Sequence, residues 1–140
     1  MMDPRDFLHL AKKLCSGNTE AERRTAVSRS YYAVYNLMAK FFRDKDIPVP
    51  LAAEGHEKVS QYVNNSGIPE AAKLSGAIGN LRGARNDADY ELDQIDFNHK
   101  ISALWVAEAQ RLISIFEKCD REKLTHGVRT YLTRISPPTR

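Results

Sequence analysis

The chain has 140 residues and a formal net charge of +3, with 42% hydrophobic and 28% charged residues. This length and composition are typical of one globular domain and exclude intrinsic disorder. No run approaches the roughly 20 apolar residues of a membrane-spanning helix, and residues 1–10 are too polar for a signal peptide. Cys15 and Cys119 stand far apart without CxxC spacing, so we expect small core residues, no metal or other cofactor, and a reducing cytoplasmic location.

Helix signals dominate the chain, and neither sustained alternation nor an Asn-Gly or Asp-Gly hairpin turn predicts a strand. Asp3 and Pro4 predict the start of a first helix, which should end near residues 16–18. A capping box at 19–22 opens a second helix that continues to about Arg43. One face of that helix is apolar at steps of three and four, through Val27, Tyr31, Val34, Met38 and Phe41.

The second half of the chain is predicted to be helical as well. Residues 44–55 contain two prolines and predict a loop, followed by a short helix over 56–64. A fourth helix is predicted over 70–89, a linker over 91–96, and a fifth helix from about Phe97. The predicted seam of the fifth helix comprises Ile101, Leu104, Trp105, Glu108, Leu112, Ile115, Phe116 and Cys119.

After Cys119 the apolar positions are offset by one residue from the preceding pattern, which predicts either a kink in the last helix or a separate tail helix. Five basic and only two acidic residues follow Cys119, so this segment carries the whole net charge of +3. Such a tail suits nucleic acid, although so small an excess suits a solvated helix face equally well. We therefore predict an all-α protein: an antiparallel four-helix bundle over 1–120 with a short extra helix, and a basic helical extension and tail over 121–140.

Arg85 lies on the apolar side of the fourth helix, and Asp89 follows one turn later, where the two can pair. Arg85 is either an arginine that extends from the edge of the core and is neutralised by Asp89, or part of a binding site. Arg82 and Asn86 lie just beyond the same edge. Three glycines within 76–83 stand on the far side, and each costs about 1 kcal/mol relative to Ala. We therefore expect a close neighbour at these glycines.

A polar stripe runs along the second helix, opposite its apolar face. It consists of Arg29, Tyr32 and Asn36, at i, i+3 and i+7. An arginine beside an aromatic ring can contact a phosphate and stack on a base. These three residues and Arg82 are therefore candidates for binding RNA or a nucleotide. The same stripe can also pack against another helix or a dimer partner.

Two segments, the motif segments, carry a resemblance to a known family. They are SRSYYAVYN at 28–36 on the second helix and RNDADY at 85–90 on the fourth. In this order and at this distance they resemble the HEPN superfamily, in particular its prokaryotic branch with an R-x-x-A-D-Y-like signature. The resemblance covers about residues 5–120. It implies a helical bundle that forms a homodimer, with the motif helices of both copies facing a shared cleft.

The resemblance also implies an activity, since many members of the superfamily are metal-independent ribonucleases in toxin–antitoxin or defence systems. Some of them act with a small nucleotidyltransferase partner. The active branch carries an R-x4-6-H motif, in which arginine contacts the scissile phosphate, the next polar residue assists, and histidine transfers protons. Arg85 and Asn86 match the first two, but Tyr90 stands where the histidine is expected. Asp89 and Tyr90 would then orient or transfer protons. Among the histidines, His99 is the best candidate to reach the cleft, although the favoured interpretation of His99 is an exposed residue in the first turn of the fifth helix.

Two functions remain open, besides a helical scaffold without a site. The first is a homodimeric module that binds RNA or a nucleotide around Arg85 and acts with a partner such as a nucleotidyltransferase in a toxin–antitoxin or defence system. The second is a metal-independent endoribonuclease with a non-standard site, in which the catalytic candidates are Arg85, Asn86, Asp89 and Tyr90. A catalyst needs a group in the cleft that titrates near neutrality, whereas a binding module needs only convergent arginine and tyrosine side chains.

Overall fold

A computed structural model of the protein describes residues 2–94 and 96–136. Over these residues the chain forms six α-helices and no strand, which confirms the predicted all-α class. The helices are α1 (Arg5–Leu14), α2 (Glu20–Asp44), α3 (Glu54–Asn64), α4 (Pro69–Tyr90), α5 (His99–Lys118) and α6 (Arg121–Ile135). None of these six helices is long and apolar enough to cross a membrane. Position 95 of the predicted linker and positions 137–140 of the predicted tail lie outside the described residues.

Short polar side chains determine where three of the helices begin. The Thr19 hydroxyl accepts a hydrogen bond from the backbone N–H of Glu22 at 3.1 Å, as the predicted capping box requires. Asn98 and Asp120 cap α5 and α6 in the same way. The Asp120 cap decides between the two alternatives for the residues after Cys119, because it starts a separate tail helix instead of continuing a kinked α5.

The core surrounds α2, which packs against α1, α3, α4 and α5. Helix α5 also packs against α1 and α4, so these elements form a helical bundle. Four of the core positions predicted on α2 are fully buried: Val27, Tyr31, Val34 and Met38. Helix α6 packs against α3, and its Leu124 and Val128 join the same core.

The buried face of α5 differs from the predicted seam. Leu104 is 57% exposed, whereas Ser102, Val106 and Ala109 are buried. Hydrophobicity alone does not reveal a serine as a core residue, so the burial of Ser102 could not be predicted from the apolar pattern. The prediction of Leu104 as a core residue was therefore wrong.

Two glycines mark close approaches of one segment to another. A Cβ atom on Gly127 would overlap the carbonyl oxygen of Ser66, so α6 lies directly against the turn that follows α3. A Cβ atom on Gly55 would overlap the carbonyl oxygen of Pro50 and the hydroxyl of Tyr35. The absence of a side chain at position 55 therefore lets the first turn of α3 lie against α2.

Candidate functional site

Arg85 on α4 is held by three neighbouring side chains. Its Nη2 donates a hydrogen bond to the Tyr32 hydroxyl at 2.6 Å, and its Nη1 donates to Asn86 Oδ1 at 2.8 Å. Its Nε lies 3.0 Å from Asp89 Oδ2, although the N–H is not directed well enough to donate a hydrogen bond there. The predicted Arg85–Asp89 ion pair is therefore present, and with 17% of its side chain exposed, Arg85 lies at the edge of the core.

Asp89 also joins the two motif segments. Its Oδ2 accepts a hydrogen bond from Ser28 Oγ at 3.0 Å, in addition to the contact with Arg85. Ser28 and Tyr32 belong to the segment on α2, and Arg85 and Asp89 belong to the segment on α4. The residues that carry the family resemblance are thus in direct contact, although more than fifty residues separate them in sequence.

Cationic and aromatic side chains alternate across the same surface. We call this set the cation–aromatic row, and it comprises Phe7, Arg29, Tyr32, Arg85 and Tyr90. The Arg29 guanidinium carbon lies 5.4 Å from the ring centroid of Phe7 and 4.8 Å from that of Tyr32. The Arg85 guanidinium carbon lies 5.1 Å from the Tyr32 ring and 5.5 Å from the Tyr90 ring. These distances lie within the range of cation–π attraction. Tyr90 is 68% exposed, so one end of the row is open.

Two further arginines bring positive charge that no carboxylate offsets. Within residues 2–94 and 96–136, the side chains of Arg29 and Arg82 form neither an ion pair nor a hydrogen bond, and both are partly exposed. Together with Arg85 they face one carboxylate within the cluster, that of Asp89. Asn36 lies one turn beyond Tyr32 and is half-buried, but in the described chain its side chain makes no hydrogen bond to the cluster.

Sequence reasoning missed one residue of the site, His56 on α3. Its Nδ1 lies 2.5 Å from the Tyr31 hydroxyl oxygen, and its ring stacks on Tyr35 with centroids 4.1 Å apart. The Tyr32 ring meets it edge-on at 6.3 Å, so Tyr32 lies between His56 and Arg85. A motif search along one helix misses His56, because α3 brings it to α2 from outside both motif segments. Gly55 is the one local signal, since its missing side chain permits this approach.

Burial and nearby charge alter the acid–base properties of this aromatic group. Desolvation lowers the pKa of His56, and the positive charges of Arg82 and Arg85 lower it further. Burial raises the pKa of Tyr31, which is fully buried, well above its ordinary value. At neutral pH, Tyr31 is therefore a neutral phenol, and His56 is predominantly neutral.

His99 lies where the start of α5 meets the end of α1. It is exposed at the start of α5, and its Nδ1 lies 3.3 Å from the carbonyl oxygen of Cys15 at the end of α1. Arg23 holds the linker there, because its Nε donates a hydrogen bond to the carbonyl oxygen of Phe97 at 2.8 Å. The favoured interpretation of His99, an exposed residue in the first turn of its helix, is therefore confirmed.

Arg24 positions the last turn of α4, where Asp89 and Tyr90 lie. This arginine is only 7% exposed, and its Nε pairs with Glu20 at 3.0 Å. Its two terminal nitrogens donate hydrogen bonds to backbone carbonyl oxygens of Asp87, Ala88, Glu91, Leu92 and Gln94. A cation at a helix C-terminus satisfies the unpaired carbonyl groups and complements the helix dipole. Arg24 thus fixes one end of the site relative to α2.

Comparison with models of protein families, with curated proteins and with solved structures finds no match to this chain. The likeness to the HEPN superfamily therefore depends on the motif segments at 28–36 and 85–90. Two contacts join those segments in the structure: Ser28 with Asp89, and Tyr32 with Arg85.

Proposed function

We propose that this chain is a HEPN-type module that binds RNA or a nucleotide at the surface around Arg85. In this proposal α1, α2, α4 and α5 form the antiparallel four-helix bundle of that superfamily. The observation that carries the proposal is the direct contact between the motif segments, through Tyr32 and Arg85 and through Ser28 and Asp89. By the same resemblance, the module acts with a partner such as a nucleotidyltransferase in a toxin–antitoxin or defence system.

The contacts assign different roles to the arginines. Arg85 is already engaged by Tyr32, Asn86 and Asp89, so it mainly holds α2 and α4 together and orients Tyr32. The side chains of Arg29 and Arg82 have no carboxylate partner within the described residues, so they supply the charge that attracts a phosphate.

A base can stack at the open end of the cation–aromatic row. Tyr90 is 68% exposed, and the Arg85 guanidinium supports the other side of its ring. Stacking of a base on such a ring contributes about 1–3 kcal/mol and depends little on sequence. The combination of unpaired arginines and an exposed ring favours single-stranded RNA or a nucleotide over a duplex.

The glycines of α4 support a homodimer. Gly76, Gly79 and Gly83 are exposed, and apart from the neighbouring residues and backbone of α4 no atom of the described chain lies within 4 Å of a Cβ built on any of them. The expected close neighbour is therefore not found within one copy, and α4 from a second copy can supply it. The same helix face continues through Asn86 to Tyr90, so a two-fold axis there would bring two copies of the site together.

RNA binding by variants tests this proposal. The probe is a short fluorescein-labelled single strand with 2′-O-methyl groups throughout, which cannot be cleaved through the 2′-oxygen. We expect Arg82→Gln and Arg29→Gln each to weaken binding and to reduce the slope of log affinity against log salt by about 0.7, the value for one lost phosphate contact on a single strand. Arg111→Gln is the matched control, because Arg111 is an exposed arginine paired with Glu108 on α5. Binding that is absent from the folded wild type, or that all three variants change equally, would contradict the proposal.

The second candidate function is a metal-independent endoribonuclease, in which Arg85, Asn86, Asp89 and Tyr90 surround the scissile phosphate. One observation favours it, namely the contact of His56 with Tyr31 and Tyr32 beside the arginines. An imidazole is the side chain that titrates nearest to neutral pH.

A further inference from the structure

His56 presents one ring nitrogen to the protein and leaves the other open. Its Nδ1 contacts the hydroxyl of Tyr31, and its ring is fixed against Tyr35. Its Nε2 has no hydrogen-bond partner within residues 2–94 and 96–136, and this atom is not fully buried. Since His56 is only half-buried, Nε2 is accessible to a ligand bound at the surface.

The surroundings of His56 contain positive charge and three tyrosine side chains. Tyr31, Tyr32 and Tyr35 face it from α2, and the charges of Arg82 and Arg85 act on it from α4. These arginines and the desolvation of the ring lower its pKa, so the imidazole is neutral and able to accept a proton at pH 7. Arg82 is also one of the two arginines proposed above to attract a phosphate. A proton acceptor and a phosphate-binding charge thus occupy neighbouring positions.

We propose that His56 is the proton acceptor of an RNA-cleaving site, and that α3 thereby supplies the group that α4 lacks. This inference depends on the RNA binding proposed above. In this proposal Arg82, whose charge acts on His56, holds the phosphate, and the adjacent ribose 2′-hydroxyl meets Nε2 of His56. Tyr31 is a positioning residue, because a hydroxyl group can accept a hydrogen bond from Nδ1–H and so leave the lone pair of Nε2 free.

The reaction is an internal transesterification. Nε2 of His56 takes the proton of the 2′-hydroxyl, the bond from O2′ to phosphorus forms, and the bond from phosphorus to O5′ breaks. The leaving O5′ takes a proton from water, and the imidazolium returns its proton to the resulting hydroxide. The products are a 2′,3′-cyclic phosphate and a free 5′-hydroxyl, and no oxidant, reductant or other co-reactant is consumed. Positive charge from the arginines stabilises the additional charge on the phosphate oxygens in the transition state.

Cleavage of a labelled single-stranded RNA by the purified full chain in EDTA tests the assignment. We expect His56→Gln to lower kcat by about 10²–10⁴-fold, the usual contribution of a general base. His99→Gln is the matched control and should leave kcat unchanged, since His99 lies beside Cys15. The expected products carry 2′,3′-cyclic phosphate ends, and far-UV circular dichroism confirms that each variant is folded.

The pH dependence of kcat/KM distinguishes a proton acceptor from a residue with a purely structural role. Wild-type kcat/KM should rise with pH along a limb whose midpoint lies below 6.5, the ordinary pKa of histidine. Tyr31→Phe removes the acceptor for Nδ1–H of the imidazolium, so this limb should move to lower pH, and kcat should fall because the imidazole becomes a weaker base. If His56→Gln does not fold, the wild-type profile decides, because activity without such a limb overturns the assignment.

The uncleavable 2′-O-methyl strand separates this inference from the proposed function. Binding of that strand without cleavage of the matching RNA overturns the role of His56 and leaves RNA binding intact. Cleavage that survives in folded His56→Gln also overturns it. Failure of the wild type to bind either strand overturns the proposed function itself. Loss of cleavage in His56→Gln with unchanged binding of the 2′-O-methyl strand supports the assignment.

Discussion

Replacing Arg24 by alanine tests how the last turn of α4 is held. The guanidinium is 7% exposed and donates hydrogen bonds to five backbone carbonyl groups between residues 87 and 94. It also lies 4.8 Å from the ring centroid of Phe97 and pairs with Glu20. In Arg24→Ala these carbonyl groups lose their donor, and the C-terminus of α4 loses its cation.

The expected loss of stability follows from these contacts. Removing one partner of a buried charged network costs about 3–5 kcal/mol. Half of the Glu20 side chain is exposed and can be rehydrated, so the lower part of that range applies. We therefore expect the free energy of unfolding to fall by about 3 kcal/mol. At about 2–4 °C per kcal/mol, the melting temperature should fall by roughly 6–12 °C.

Urea unfolding, followed by circular dichroism and by the fluorescence of Trp105, measures this loss. Trp105 is the one tryptophan of the chain and is partly buried against the core, so its emission reports on packing. Arg24→Lys keeps the charge but lacks the planar fork that reaches several carbonyl groups, so it should lose most of the same stability. Arg111→Ala, at an exposed arginine, should leave the midpoint unchanged. Equal midpoints for Arg24→Ala and Arg111→Ala would refute the role given to Arg24.

Three further predictions concern the glycines, the ion pair and the histidine. Gly79→Leu should add up to about 1 kcal/mol to the stability of α4 in a single copy, because position 79 faces open space there. Light scattering should nevertheless show that the proposed dimer is converted to the 15.9 kDa monomer. An unchanged dimer would place the interface elsewhere. Asp89→Asn should strengthen RNA binding because it frees the charge of Arg85. The weakened contacts with Ser28 and Arg85 should lower the free energy of unfolding by about 1–2 kcal/mol. A weaker affinity for RNA would mean that the carboxylate contributes to binding. The pKa of His56 is lowered in the folded state, so as pH falls the unfolded chain takes up its proton first. The wild type should therefore lose stability relative to His56→Gln as pH falls through and below 6.5. Urea midpoints of the two proteins that change in parallel over that pH range would contradict the lowered pKa.

Helix positions could be predicted from the sequence because the determining signals are local. The capping box at Thr19 and the apolar spacing of the following residues placed α2 over 19–43, and the structure has Glu20–Asp44. The prediction of 70–89 for the fourth helix corresponds to Pro69–Tyr90. In both cases a side chain or a proline within a few residues decides where the helix begins. Element order and class follow from such signals without knowledge of the tertiary structure.

The missed residues depend on contacts between distant segments. His56 meets Tyr31, 25 residues earlier, and Arg24 meets carbonyl groups that lie 63 to 70 residues later. Neither residue belongs to a periodic apolar pattern, and a buried arginine looks like a surface residue in sequence. Ser102 is the same kind of case, because its burial depends on how closely α5 approaches α2. These positions emerge only when the helices are packed.

The position of Arg85 at the edge of the core has a physical reason in these contacts. A charge there would be costly alone, but Asp89 neutralises it, and Tyr32 and Asn86 each accept one hydrogen bond from it. The same contacts leave little of Arg85 free for a ligand. In the proposed site, Arg85 therefore orders Tyr32, and the charge that attracts a phosphate comes from Arg82, whose side chain has no carboxylate partner in the described part of the chain. Arg85 thus organises the surface while Arg82, one turn earlier, binds the phosphate, and the ion pair with Asp89 offsets the cost of enclosing the charge of Arg85.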